Sequence, residues 1–272
     1  MMTGKPNIGR LPVPGDRLPA ATVPAHWLLA RLGKRVMRPG GLEVTTALLH
    51  GLAIGPGDDV VDLAPELGVT AALVLASGPA SFTGLERGDV EAARATSLLD
   101  GAGPTCLVAQ PDATGLPDAS ASVVYGEAVL TLETDETKER ILAEAARLLR
   151  PGGRLGLHEL LLVPDELSGA AKREMQETLT RVLRVRARPL TLSEWRDLLE
   201  QAGFEVVTES SAPLLLLSPG TFVRDETPAG TARFLANALR EPGAVARLGS
   251  IWTTFRRYRR HLGSVAITAR RR

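Results

Sequence analysis

The chain has 272 residues, 44% of them hydrophobic and 23% charged, and a formal net charge of +1. That is enough to bury a sizeable core, while a near-neutral balance gives no global field to steer the chain to nucleic acid or a membrane surface. Cys106 is the only cysteine, which excludes a disulfide framework within the chain and points to a reducing, cytoplasmic compartment.

Residues 1–23 hold several prolines and glycines without a helical or strand period, and read as a flexible N-terminal arm, mobile or draped on a surface. They also lack the charged and apolar regions of a secretory signal. A domain over 24–272 follows. Trp27, Leu28, Leu32 and Val36 fall at helical spacing, "RPGG" at 38–41 stops that helix, and a second runs to about Ala53. Short β-prone runs then alternate with helical ones. Strands are expected at 58–64, 80–86, 104–109, 121–126, 153–162 and 204–210, and helices at 68–77, 88–99, 136–149 and 191–202. Such alternation requires crossover connections and a mostly parallel sheet covered on both faces.

The stretch "LLRPGGRLGL" ends a helix at Arg150 and turns through Pro151-Gly152-Gly153 into a strand, because proline stops the helix and glycine accepts the positive φ of the turn. Two insertions of helical character interrupt the alternation, at about 165–185 and 213–258, before a last apolar strand, "SVAITA". Insertions of this size form lids, binding walls or subunit contacts, which leaves a homodimer open. The apolar runs Leu160–Val163 and Leu214–Leu217 are too short to span a bilayer.

Asp62, Glu86, Asp112 and Glu127 fall at or just after the ends of the first four strands, and so on one edge of the sheet. In an open parallel sheet that edge is the ligand crevice, and Glu86, 24 residues beyond Asp62, is spaced to accept hydrogen bonds from ribose hydroxyls. "VVDLAPELG", "FTGLER", "DATGLPDASASVVYGEAVL" and "LLRPGGRLGLHEL" together resemble, in order and spacing, the motifs of the class I S-adenosylmethionine-dependent methyltransferases. The resemblance covers about 42–204 plus the last strand. It implies a doubly wound, Rossmann-like α/β sheet of seven strands, mostly parallel with the last antiparallel, and S-adenosylmethionine as cofactor. It also implies that Asp62, Ala64, Glu66 and Gly68 face the methionine part, Glu86 with Arg87 the ribose, and Asp112 with Ala113 the adenine, Glu127 standing beside them. Ala64 and Glu66 replace two of the three glycines usual in the first motif.

A sulfonium methyl is already electrophilic, so the protein mainly aligns a nucleophile with it. For an oxygen nucleophile the candidate general bases are Glu127, His158 and Glu159; adjacent strand residues point oppositely, so periodicity does not choose between the last two. His26, His50 and His261 show no metal-ligand spacing, and no metal is expected. Leu179, Val182, Leu183 and "PLLLLSP" offer apolar walls, whereas Trp195, Trp252, Phe255 and Tyr258 read as helix-packing residues. The expected activity is methyl transfer to a small or medium, partly apolar acceptor, not to nucleic acid. The alternative is a chain of the same fold that serves as a ligand-binding or scaffold subunit, or for another reaction. Arg256, Arg257, Arg259, Arg260 and Arg270–Arg272 crowd the last seventeen positions and read as a solvated face and a frayed terminus. For Glu66, an outward turn toward Arg35 or Arg38 is one way to avoid the cofactor's carboxylate.

Overall fold

The computed structural model describes residues 13–37, 39–99, 105–214 and 216–272. Helices α1 (Ala25–Leu32) and α2 (Gly41–Leu52) precede the alternating core. That core comprises β1 (Asp59–Asp62), α3 (Val69–Ala76), β2 (Ser81–Glu86), α4 (Asp89–Leu98), β3 (Thr105–Val108), β4 (Ala121–Glu127), α5 (Asp135–Leu148) and β5 (Leu149–Leu162). Then come α6 (Gly169–Leu183), the two-residue β6 (Leu190–Thr191), α7 (Leu192–Gln201), β7 (Phe204–Pro213), α8 (Pro219–Arg240), α9 (Ala244–Arg257) and β8 (Leu262–Arg271). The strand order is β3-β2-β1-β4-β5-β8-β7, with β6 beside β5 as a short eighth member. Strands β1 to β5 pair in parallel and β8 runs antiparallel to both its neighbours.

Both faces of the sheet are apolar because both are covered. Val61 and Val124 point to the side packed with Ile141, Leu142 and Trp195. Their neighbours Val60, Val123 and Tyr125 point to the side packed with Leu48, Leu52 and Val74. This is the period-two pleat read on a sheet between two helical layers. Two caps set the starts of the covering helices: Thr134 Oγ1 accepts from Thr137 N at 3.2 Å before α5, and Thr191 with Glu194 forms a reciprocal capping box before α7. The "PGG" stretch is not a separate turn between helix and strand. β5 starts directly at Leu149, and the extra residues form a bulge in its register with β4, with Gly152 at φ 74°.

Two sequence expectations change at the ends of the chain. Residues 1–12 lie outside the described residues, but 13–23 fold into tight turns that bury Ala20 and Val23 against α1 and α8. Arg31 Nη1 holds these turns by donating to the carbonyls of Asp16 and Leu18. Turn-rich sequence lacks a period, so its apolar contacts are invisible to pattern reading. At the other end Arg270 and Arg271 belong to β8. Arg271 donates to the Leu149 carbonyl, and Arg272 N donates to Gly203 O at 3.0 Å. The terminus is a paired strand, not a frayed tail.

Deleting Arg270–Arg272 is therefore expected to cost about 1–3 kcal/mol through lost backbone and guanidinium hydrogen bonds. Thermal denaturation should show a midpoint lowered by roughly 2–4 °C per kcal/mol; an unchanged midpoint would show that these bonds add nothing.

Candidate functional site

The carboxyl ends of β1, β2 and β4 converge with the α1 region on two adjoining cavities. One, a cleft of about 410 Å³, is lined by Leu63, Ala64, Glu66, Glu86, Arg87 and Glu127 among others. The second, of about 110 Å³, is mainly apolar, with Leu29, Met37, Leu160, Leu183, Leu214 and Phe255 in its wall. The two share His26, Ala64, Glu66, Glu127, Ala128, Leu132 and Val185, so one adjoins the other at the strand ends. The apolar chamber approaches the roughly 150 Å³ at which an apolar cavity takes up a benzene ring.

The turn after β1 is built without the usual glycines. Asp62 is buried; its Oδ2 accepts from Tyr125 Oη at 2.5 Å and its Oδ1 from Ala64 N at 3.1 Å. Asp62 therefore holds the turn from below. Pro65 nests against Gly84 of β2, where an added Cβ would stand 2.9 Å from Pro65 Cγ. Glu66 adopts φ 47°, the left-handed region that glycine enters freely and other residues enter at a cost of about 1–3 kcal/mol. Gly68, at φ 69°, caps α3, and a Cβ there would meet Leu98 at 3.1 Å.

Glu86 ends β2, buried, with Oε1 accepting from Glu66 N at 2.6 Å. Burial, then the Glu66 charge, pushes its carboxyl up to about 8, against the pull of that hydrogen bond; Asp62 and Glu91 add smaller repulsions. Arg87 lines the same cleft but pairs with Glu133 at 2.6 Å. Asp112 and Ala113 follow β3 and line neither cavity; Asp112 Oδ2 accepts from Arg140 Nε at 3.0 Å.

Only one of the three candidate bases reaches the cavities. Glu127 lines both. Its Oε1 accepts from Thr45 at 2.8 Å and lies 3.0 Å from His158 Nδ1, and its Oε2 accepts from Thr70 at 2.5 Å. His158 is fully buried, its Nδ1 on Glu127 and its Nε2 donating to the Pro39 carbonyl, so no ring lone pair faces a cavity. Glu159 is also buried and accepts from Leu130 N at 2.8 Å and Thr131 N at 2.9 Å. Burial and not period two decides both: β5 is central and covered on each face, so neither side chain reaches the crevice. Arg35 lies 3.6 Å from Glu226 and not on Glu66, while Arg38 lies outside the described residues.

Pattern reading missed His26 and Phe255. His26 stands in the wall shared by the two cavities and Phe255 in the apolar one. Trp195 and Tyr258 are packing residues: Trp195 Nε1 donates to Leu160 O at 3.1 Å, and Tyr258 Oη donates to Glu174 at 3.0 Å. Trp252 is 44% exposed under Arg256. Of the predicted apolar walls Leu183, Leu214 and Leu216 line the chamber; Leu179 is buried beside it, and Leu215 lies outside the described residues. Among the described residues no group of three or more His, Cys, Asp or Glu side chains is arranged to hold a metal ion, and no helix is long and apolar enough to cross a membrane.

The family description "Methyltransferase domain" matches residues 61–157. An uncharacterised protein of Haemophilus influenzae is 30% identical over 219 residues, covering 79% of this chain and 85% of the relative. The 27-O-demethylrifamycin SV methyltransferase of Amycolatopsis mediterranei is 31% identical over 172 residues, 60% of this chain and 61% of that protein. Among solved structures, a Haemonchus contortus phosphoethanolamine N-methyltransferase 2 in complex with S-adenosyl-L-methionine superposes with a TM-score of 0.68 at 16% identity, over 91% of this chain and 56% of that one. That likeness is one of fold.

A carboxyl whose folded value is raised from 4.5 to about 8 binds its proton more tightly in the folded chain. Its contribution to stability is whole below about pH 4.5 and is lost as pH rises through about 8. Glu86→Gln, neutral throughout, should match the wild type near pH 4.5 and exceed it at pH 8–9 by about 1 kcal/mol or more, roughly 2–4 °C in midpoint. Melting curves across that range check it, and parallel curves for the two proteins would reject the raised carboxyl.

Proposed function

Since the chain belongs to the class I S-adenosylmethionine-dependent methyltransferases, we propose that its acceptor is a hydroxyl oxygen on a small or medium, partly apolar molecule. The observation that carries this reading is the apolar chamber that adjoins the strand-end cleft across Ala64, Glu66, Glu127 and Ala128. A chamber walled by leucines, Met37 and Phe255 rewards an apolar ring or alkyl group by the area it removes from water. The acceptor named for the Amycolatopsis relative, methylated on oxygen, agrees with a hydroxyl.

S-adenosylmethionine supplies, when bound, a methyl group made electrophilic by its sulfonium. A buried, under-bonded carboxyl group at the end of β2 fits a ligand that brings hydroxyls, and Glu86 is assigned to the ribose hydroxyls. The turn from Ala64 to Gly68, at the start of α3, is assigned to the methionine part, and Asp112 with Ala113, next along the edge past β3, to the adenine. Glu127, held by Thr45, Thr70 and His158, fixes the floor where cleft and chamber meet. His158 and Glu159 are assigned as positioning residues, because they act through Glu127 and the β4–α5 loop and not on the acceptor.

Incubation with S-adenosylmethionine and a panel of phenols, naphthols, alkyl alcohols and matching amines, read as S-adenosylhomocysteine released and methylated product by mass spectrometry, tests the acceptor class. Turnover of hydroxylated members is expected; turnover of amines alone rejects the hydroxyl. For the cofactor turn, Glu66→Gly is expected to tighten S-adenosylmethionine about tenfold, or about 1.4 kcal/mol. The substitution frees the left-handed position and removes a carboxylate that repels both Glu86 and the cofactor's own carboxylate. Calorimetry showing tenfold weaker binding would make Glu66 a ligand-holding residue instead.

A further inference from the structure

We propose that His26 is the catalytic base of this enzyme, taking the proton of the acceptor hydroxyl at the junction of the chamber and the cofactor cleft. The inference rests on the hydroxyl reading above and deepens it. His26 lies in α1, outside the sheet and its strand-end motifs, yet it lines both cavities. Its ring is tilted 54° against Trp27 at 4.8 Å, and among the described residues its nitrogens have no hydrogen-bond partner. An imidazole in a cavity wall with unused nitrogens is an available lone pair; His158 and Glu159 offer none to a cavity, and the Glu127 oxygens are engaged by two threonines and a histidine.

Burial lowers the His26 imidazolium to about 4, so the ring is uncharged at neutral pH. A base this weak does not ionise an alcohol in advance. It does not need to. As the acceptor oxygen forms its bond to the methyl carbon and the sulfur–carbon bond breaks with its electron pair left on sulfur, the oxygen takes on the positive charge. A protonated ether is far more acidic than an imidazolium near pH 4, so the proton passes downhill to a ring nitrogen of His26 and then to water. The sulfonium charge is lost in the same step, which makes room for the imidazolium electrostatically, and Glu66 and Glu127 face the same junction.

Two measurements test the assignment. The first needs no acceptor: the wild-type chain is treated with diethyl pyrocarbonate, with and without S-adenosylhomocysteine, and modified histidines are located by peptide mass spectrometry. His26 should be carbethoxylated, His158 should not, and S-adenosylhomocysteine should slow His26 at least several-fold. Lack of reaction at His26, or no protection, removes it from the junction and overturns the proposal while leaving the hydroxyl reading intact. The second uses the phenol or naphthol turned over fastest in the acceptor panel. His26→Ala and His26→Asn should lower kcat by about 10²-fold with KM and S-adenosylmethionine affinity little changed, and imidazole added to His26→Ala should restore part of the rate. Full turnover by either variant, or a loss confined to KM, overturns the base assignment. Methylation of amines alone removes the hydroxyl reading and this proposal with it.

Discussion

The site depends on one half-buried carboxylate and the groups that satisfy it. Glu127, the last residue of β4, receives Thr45 from α2 and Thr70 from α3, and meets His158 of β5, which in turn holds the Pro39 carbonyl. Three separated parts of the chain, α2, α3 and β5, are thus fixed to one side chain. A carboxylate in this position without donors would be a heavy cost, since a buried polar group left unpaired loses several kcal/mol or more. With them it becomes the reference point of the junction. Through His158 it also positions the connection between α1 and α2, and so the level at which His26 hangs over the strand ends.

The second constraint is the departure of the β1 turn from a glycine-rich loop. The usual reason for glycine here is close approach of the backbone, and this chain reaches a similar end by different means. Pro65 sets its own φ and fits a space that β2 provides by having Gly84 in register with Asp62. Gly68 retains the left-handed cap before α3. Glu66 alone pays in strain, and its backbone N–H is committed to Glu86. The cleft therefore concentrates acidic groups around a buried carboxyl that keeps its proton until about pH 8.

Much of the fold was legible because its signals are local. Alternating apolar runs and strand-end acids each depend on a few adjacent residues, and the expected strands fall within a few positions of those found. Glu127 was legible for the same reason: it ends an apolar strand. His158 and Glu159 looked equally able to reach the crevice because period two says only that they point oppositely; that both directions are covered depends on Thr45 and Pro39 on one face and the Leu130–Thr131 backbone on the other, neither adjacent in sequence. His26 was illegible as a site residue because nothing in α1 itself indicates what it lies against. The packing of residues 13–23 and the pairing of the last arginines were hidden likewise, since turns have no period and charged residues at an edge can still form a ladder.

The apolar chamber is shaped by the insertions and α1 more than by the sheet. Its walls come from α1, the residues after it, the end of α6, the stretch before α8, and α9, whereas the sheet gives mainly the floor. The segment after α1 is joined to α8 at Glu226, whose Oε1 accepts from Arg35 N at 2.8 Å, Val36 N at 2.9 Å and Lys34 Nζ at 3.5 Å. Lys34 and Glu226 are both buried, so breaking one partner leaves the other charge uncompensated. The next residue, Thr227 at φ 67° and ψ 160°, kinks the helix ahead of Pro228. A buried pair of this kind contributes little net stability but strongly disfavours other arrangements of the roof. The two cavities are therefore built by different parts of the chain: the strand ends line the cleft, while α1, α9 and the segments that flank α6 and α8 wall the apolar chamber.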